Sequence, residues 1–312
     1  MSAAPARSFT GVAFLLGAAT LFAVNGTVSK VVLDTGLSSL RLVEARSALA
    51  AAVFLTAALA LHPAALRIGP RELAFIAVYG IVGLAMVQWL YFVAIARIPV
   101  SIALLVEFTA PLLVALWVRF VRRGPVRSRM WVALGLCLGG LAVVGQVWDG
   151  LTLDGLGLLA AAGAAAALAT YYLLGEHGLN RHDPVSLAAW SFGATAAFWS
   201  LLLPWWTFPF ASLTRPAAIA GTHLPVGVLV AWVGVLGTVA PFGLVLLGLR
   251  RIGAARAGLI GTAEPVLAGL VAWFALGEAL TPGQILGAGI VLAGILFAET
   301  SRPPHPHQMD TR

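Results

Sequence analysis

The stretch Ile98-Pro-Val-Ser-Ile-Ala-Leu-Leu-Val-Glu-Phe-Thr-Ala-Pro-Leu-Leu-Val-Ala-Leu116 carries one charge, Glu107, in an otherwise apolar run. Read from Ser101 to Val121, it has the length of a helix that crosses a bilayer, which takes about 20 residues. It also recurs. At a constant offset of 154, Ile98 matches Ile252, Ala103 matches Ala257, Leu105 matches Leu259, Pro111 matches Pro265, Leu113 matches Leu267 and Leu116 matches Leu270. Matches of Ala and Leu arise by chance in an apolar chain, so the paired mid-span prolines are the informative part. A second alignment, at offset 146, pairs Gly11 with Gly157, Gly17-Ala-Ala19 with Gly163-Ala-Ala165, and Ala23 with Ala169. The chain therefore reads as two similar halves.

Working outward, the 312 residues are 60% hydrophobic and only 10% charged, against about 25% charged in a soluble domain. Mean hydropathy is +0.96. Disorder and a soluble globular enzyme are both excluded by that balance. The 34 glycines and the Ala-rich runs suit close helix approach in lipid. Ten apolar spans are expected: Val12–Lys30, Leu40–Leu61, Leu73–Ile95, Ser101–Val121, Met130–Val147, Leu156–Leu174, Val185–Pro204, Val226–Leu249, Ala254–Leu276 and Thr281–Ala298. The thinnest divisions are Arg97-Ile-Pro99, between spans three and four, and Arg250-Arg-Ile-Gly253, between spans eight and nine. No room is left for a soluble domain. Arg7 before an apolar run imitates a signal peptide, but no small-residue cleavage site with a polar sequence after it follows.

The expected fold is thus an all-α integral membrane protein of ten transmembrane helices. Residues 1–148 form the first five-helix repeat and 149–300 the second, with 301–312 a polar, disordered cytoplasmic tail. Five is odd, so the second repeat enters the membrane inverted. With the N-terminus inside, the cytoplasmic face holds Arg7, Arg67, Arg71, Arg119, Arg122, Arg123, Arg127, Arg129, Arg181, Arg250, Arg251, Arg256, Arg302 and Arg312. Only Arg41, Arg97 and Arg215 fall outside. That bias sets both termini in the cytoplasm and makes the net charge of +7 a topology signal rather than a sign of nucleic acid. Arg97 outside and its counterpart Arg251 inside agree with the inversion. Inverted repeats are the architecture of alternating-access transporters.

Within the spans, a charge away from the interface is a functional candidate by default. Glu107 lies four residues before Pro111 and on the same helix face. Pro111 frees a carbonyl near it, and a carboxylate beside an exposed carbonyl suits an ammonium group or a proton. Pairing with an arginine to lock helices stays open as the alternative. Glu264 directly precedes Pro265, with cavity lining, proton coupling or capping of the kink all open. The two are not symmetry mates, because Glu107 aligns with Gly261 and Glu264 with Ala110; at most one need be the coupling acid. Arg41 and Glu44 are three apart and can pair, and Arg46 reads as snorkelling or structural. Glu278 reads as a cap beside Thr281-Pro282.

Uncharged candidates for a substrate cavity are Asn25 (with Ser29), Gln88, Tyr91, Pro111, Tyr171, Tyr172, Thr238, Pro241, Thr262 and Pro265. Ordinary interhelical hydrogen bonds explain each singly; their recurrence in spans one, three, six and eight points to a cavity. Trp205, Trp206, Phe208 and Phe210 begin the longest outer loop and read as an interfacial anchor or a gate. Gly135-x3-Gly139, Gly283-x3-Gly287 and Ala254-x3-Gly258 read as packing seams. His62, His177, His182, His223, His305 and His307 all fall in loops or the tail. With Cys137 the only cysteine, there is no metal or disulfide framework, no catalytic set and no cofactor motif. HExxH, GxSxG and GxxxxGK[ST] are all absent, which disfavours a membrane-embedded enzyme and direct use of ATP.

The sequence resembles the drug/metabolite transporter superfamily, and within it the ten-helix EamA-domain exporters. Residues 98–116, Thr262-Ala-Glu-Pro-Val266 and Gly277-Glu-Ala-Leu-Thr-Pro-Gly-Gln284 carry the resemblance, which spans about residues 10 to 300. Glu107-Phe-Thr-Ala-Pro111 is similar to the threonine/homoserine exporter branch. The resemblance implies secondary export of small metabolites, often amino acids, across the inner membrane. Partners implied are a small-molecule substrate, the lipid bilayer and protons. A homodimer is permitted and not required. Multidrug, dye or nucleobase export within the same superfamily is the alternative.

Overall fold

In the computed structural model, residues 3–61, 63, 67–95, 97–98, 100–146, 154–219, 221–276 and 281–299 are described. In chain order the apolar helices are α1 (Phe9–Asp34), α2 (Ser39–Leu61), α3 (Pro70–Ala94), α4 (Ile102–Val121), α5 (Ser128–Val144), α6 (Gly155–Leu179), α7 (Pro184–Leu202), α8 (Val226–Ile252), α9 (Ala254–Val271) and α10 (Pro282–Ala298). Among the described residues, eight of these are long and apolar enough to cross a membrane; α5 and α10 are shorter. At 1.5 Å per residue the 17 residues of α5 reach about 25 Å, slightly less than a hydrocarbon core of about 30 Å.

Local chemistry sets the helix ends. Asp154 accepts a hydrogen bond from Gly157 N at 2.7 Å and starts α6. Asp183 accepts from Val185 N and Ser186 N, both at 3.0 Å, with Pro184 in the first helical position of α7. Gly253 separates α8 from α9 at φ +78°, a conformation that a side chain would strain.

The helices pair in a pattern that exchanges when each number is shifted by five. α1 packs on α8 and α9, while α6 packs on α3 and α4; α2 packs on α7, and α5 on α10. The two aligned glycines make matching contacts. A Cβ added at Gly11 would meet Ile252 at 2.7 Å and Arg251 at 3.0 Å; one added at Gly157 would meet Ile98 at 2.7 Å and Arg97 at 2.9 Å. These are the corresponding residues under the two offsets read from the sequence.

Several expectations are corrected. The chain is mostly helical rather than all-α: the loop after α7 contains an antiparallel hairpin of β1 (Pro216–Ile219) and β2 (Thr222–Pro225). α6 runs to Leu179, so His177 is helical, its ring edge-on to Phe75 at 5.4 Å, and His223 lies in β2. Gly135 and Gly139 are not a seam, since a side chain at either would meet nothing within 4 Å. Gly140 takes that role: one residue past Gly139, a rotation of about 100°, it faces α10, where its added Cβ would lie 2.8 Å from Gly287 O. Gly287 and Gly258 do pack closely, Gly258 against Pro111. Pro99, Asp149, Glu278, His62 and the tail 301–312, with His305 and His307, lie outside the described residues.

Candidate functional site

The paired prolines give paired breaks. α4 stops being helical at Phe108–Thr109 and α9 at Thr262, positions that match at offset 154. The reason is chemical: Pro111 has no N–H to offer the carbonyl of Glu107, and Pro265 none for that of Gly261. Thr109 Oγ1 donates back to Val106 O at 2.6 Å, and Thr262 Oγ1 to Leu259 O at 2.6 Å, so each break is closed by a local hydroxyl. A third break lies in α8, where residues Val235–Val239 widen into a π turn ahead of Pro241. A longer π segment, Tyr79–Met86, runs through α3.

Against these breaks lies a cavity of about 520 Å³. Its mouth is at the C-terminal end of α1, where Lys30 and Asp34 are exposed, and it runs inward past Ser29, Gly26, Asn25 and Phe22. Gln88 and Tyr91 of α3, Glu107 of α4, Tyr171 and Tyr172 of α6, Phe242 of α8 and Glu264 of α9 form its depth. Glu107 is 8% exposed and Asn25 7%. Among the described residues the ion pairs are Arg41–Glu44, Arg97–Asp154 and Arg122–Glu176, and neither Glu107 nor Glu264 takes part in one.

Of the candidates from sequence, the cavity gathers Asn25, Gln88, Tyr91, Glu107, Tyr171, Tyr172 and Glu264. Pro111, Thr238, Pro241, Thr262 and Pro265 do not line it. They act on its walls instead: Pro111 packs on Gly258, Thr262 closes a break, and Thr238 is fully buried, donating to Val233 O at 2.8 Å. Prolines and small hydroxyls in helices satisfy or release backbone groups, so they shape a wall more readily than they present a face.

Arg46 was read as snorkelling or structural; it does not snorkel, and its bonds tie α2 to α8 as a structural role would. It lines the cavity two turns into α2, with Nε donating to Thr238 Oγ1 at 2.9 Å and Nη2 donating to Gly237 O at 3.1 Å. The signal available was its depth: seven residues past Ser39, it lies too far from the helix end to reach the interface freely. Glu44, by contrast, pairs with Arg41 at 2.6 Å as its spacing allows. Arg41 also donates to the carbonyls of Leu203 and Pro204 and to Thr207, and lies over the Phe208 ring at 5.8 Å. The aromatic loop is thereby tied to the start of α2, with Trp205 stacked on Phe208 and Trp206 left 86% exposed.

Opposite its mouth the cavity is sealed. Tyr79 stacks on Tyr171 at 5.6 Å, Tyr171 meets Tyr172 edge-on at 5.4 Å, and Leu249 is 1% exposed beneath them. At the same end Glu176 of α6 accepts from Arg122 at 2.8 Å and from Ala254 N at 3.2 Å, tying together α6, the end of α4 and the start of α9.

The EamA-like transporter family matches residues 9–146 and again residues 155–300. The threonine/homoserine exporter RhtA of Escherichia coli K12 is 34% identical over 217 residues, covering 69% of this chain and 67% of that one. RhtA of Salmonella typhimurium LT2 is 32% identical over 238 residues, 75% of this chain and 74% of that one. An uncharacterized transporter of Bacillus subtilis, YwfM, is 27% identical over 214 residues, 68% and 69% of the two chains. A solved crystal structure superposes with a TM-score of 0.74 at 22% identity, covering 95% of this chain and 97% of that one, and supports the fold.

Proposed function

This chain belongs to the EamA-like transporter family, and from that membership we propose that it is a secondary exporter of small organic metabolites, amino acids or their analogues, working by alternating access. It is a multi-pass membrane transporter, and neither its family nor its relatives are enzymes. The observation that carries the finer reading is the cavity: about 520 Å³, polar at depth, with Glu107 and Glu264 in no ion pair among the described residues and Arg46 near enough to Glu264 to act on its charge. A structural charge inside a membrane is ordinarily paired. A carboxyl left facing an open cavity is placed to meet a cation or a proton.

In this reading α5 and α10 complete ten spans, arranged as five-helix halves (1–148 and 149–300) of opposite orientation, with both termini in the cytoplasm of the inner membrane. Arginine distribution supports that orientation. The mouth at Lys30 and Asp34 then faces outside, and the seal at Tyr79, Tyr171 and Glu176 faces the cytoplasm. Alternating access exchanges the two by letting each half adopt the other's conformation. The similarity to RhtA favours amino acids as the exported class. Proton antiport through Glu107 or Glu264 supplies the driving force.

The test is efflux of a panel of amino acids and analogues, with dyes and nucleobases as comparators, from proteoliposomes with an imposed pH gradient. Amino acid efflux that rises with external acid and stops with an uncoupler is expected. Dye or nucleobase efflux without amino acid efflux would replace the amino acid assignment with the multidrug or nucleobase reading.

A further inference from the structure

We infer that Arg46 is the anchor for the carboxylate of the transported solute, with Glu107 and Glu264 on the facing helices receiving its ammonium end, so that the cavity selects solutes carrying both groups free. The inference rests on reading the cavity as the transport site.

The argument starts from the donors of Arg46. A guanidinium has five N–H groups in a rigid planar fork that matches a carboxylate. Two are used, Nε on Thr238 and one of Nη2 on Gly237 O. Both acceptors are themselves fixed. The Thr238 hydroxyl donates its proton to Val233 O at 2.8 Å, which turns a lone pair toward Arg46. In an α-helix the carbonyl of Gly237 would accept from residue 241, but Pro241 has no N–H. The π turn and the proline of α8 therefore present a fixed cradle to one edge of the guanidinium. The Nη1 group has no hydrogen-bond partner among the described residues. A Cβ at Gly237 would meet Asn25 Oδ1, so α1 and α8 pack closely beside the arginine, and Arg46 and Asn25 both face the cavity.

The charges then sort by wall. α2 and α8 hold the one arginine at depth; α4 and α9 hold two carboxyl groups. A cation with free donors opposite two acceptors is the complement of a zwitterion. A solute with one charge, or none, would leave one wall unmatched in a medium where unmatched polar groups are costly. Because there are two carboxyl groups, one can meet the ammonium while the other stays free to bind a proton. Arg46 is held by α8 and acts on the charge of Glu264, and its Nη1 donors remain for a ligand.

The experiment is counterflow of labelled L-threonine into proteoliposomes of the full chain, with unlabelled competitors at a pH that keeps the amines protonated. L-Threoninamide keeps the ammonium and lacks the carboxylate; 3-hydroxybutyrate keeps a carboxylate and lacks the ammonium. Each is expected to compete about 10- to 100-fold more weakly than L-threonine, the weight of one charge-assisted hydrogen-bond set. In Arg46→Gln the preference for threonine over threoninamide disappears, and Arg46→Lys keeps part of it. Threoninamide competing as well as threonine on the unaltered protein overturns the assignment of Arg46 while leaving amino acid export standing. That arm needs no variant, so misfolding of Arg46→Gln cannot shelter the inference. If no amino acid exchanges at all, the exporter reading fails first and takes the anchor with it.

Discussion

Glu176 offers the sharpest perturbation, because one side chain ties three elements at the sealed end. Glu176→Ala removes the bond from Arg122 at 2.8 Å and the bond from Ala254 N at 3.2 Å. The ion pair is partly solvated, with side chains 40% and 29% exposed, so its share is limited to about 0.2–1 kcal/mol. The bond to the first turn of α9 adds about 0.5–1.5 kcal/mol. Together they favour the sealed form by about 1–2 kcal/mol, and their loss should raise the population open on that side by about 5- to 30-fold. Arg122→Ala removes only the first term and should raise it by about 1.4- to 5-fold. The reporter is Leu249→Cys in a Cys137→Ser background. Leu249 is 1% exposed beneath the tyrosines, so a thiol there reacts only when the seal opens. The labelling rate should follow the same fold-changes in the same order. Exchanging the charges, Arg122→Glu with Glu176→Arg, should restore the pair but not the cap, leaving an intermediate rate. Equal rates in Glu176→Ala and the parent would refute the assignment of this cluster as the latch of the seal.

Two further outcomes are expected. Glu107→Gln should abolish efflux driven by an acid exterior while counterflow without a gradient persists, since the amide still accepts a hydrogen bond and the Glu264 carboxyl remains; unchanged gradient-driven efflux in proteoliposomes would remove Glu107 from proton coupling. Gly287→Leu should lower the thermal midpoint of the detergent-solubilised protein, because even its Cβ would lie 2.6 Å from Val144 N and 2.7 Å from Gly140 O, an overpacking worth about 1–3 kcal/mol or more; Gly135→Leu, with open space around it, serves as the matched control and should leave the midpoint in place.

Most of the helical framework was readable from hydropathy, since a span must be long and apolar to satisfy its backbone in lipid. The repeat was readable from two prolines and two glycines, residues whose roles are backbone roles and so survive as fixed offsets. Seven of the cavity residues were singled out by polarity at depth. The place of Arg46 in the cavity wall was not legible because it depends on α8, and sequence separation hides which helix stands opposite. Thr238, which accepts from it, and Pro241, which offers no N–H to the Gly237 carbonyl, were each noticed, but as candidate lining rather than as the cradle of an arginine. The hairpin after α7 and the π segment at Tyr79–Met86 left no periodic signal, as each is shorter than the window over which periodicity can be read.

In the inverted arrangement proposed above, the meeting of Glu107 with Glu264 in one cavity follows even though the two are not symmetry mates. Glu107 is the last residue before the break in α4, and Glu264 is the second residue after the break in α9. With the halves oppositely oriented, before in one helix and after in the other are the same side of the membrane's midplane. That side is the one with the open mouth. The first alignment carries a matching asymmetry. Asn25 and Gly26 correspond to Tyr171 and Tyr172. The small pair leaves Gly26 exposed on the cavity, with nothing within 4 Å of an added Cβ. Of the large pair, Tyr171 packs against Tyr79, Phe242 and Tyr172, and the two fill the equivalent place at the sealed end. Two halves with identical side chains would have no preferred direction, since exchanging their conformations would return the same molecule. Here the exchange would set tyrosines where the mouth is and carboxyl groups beyond the seal. The two end states therefore differ in energy and in how they meet a charged solute, and a carrier whose end states differ can be biased toward export by a proton bound on one side.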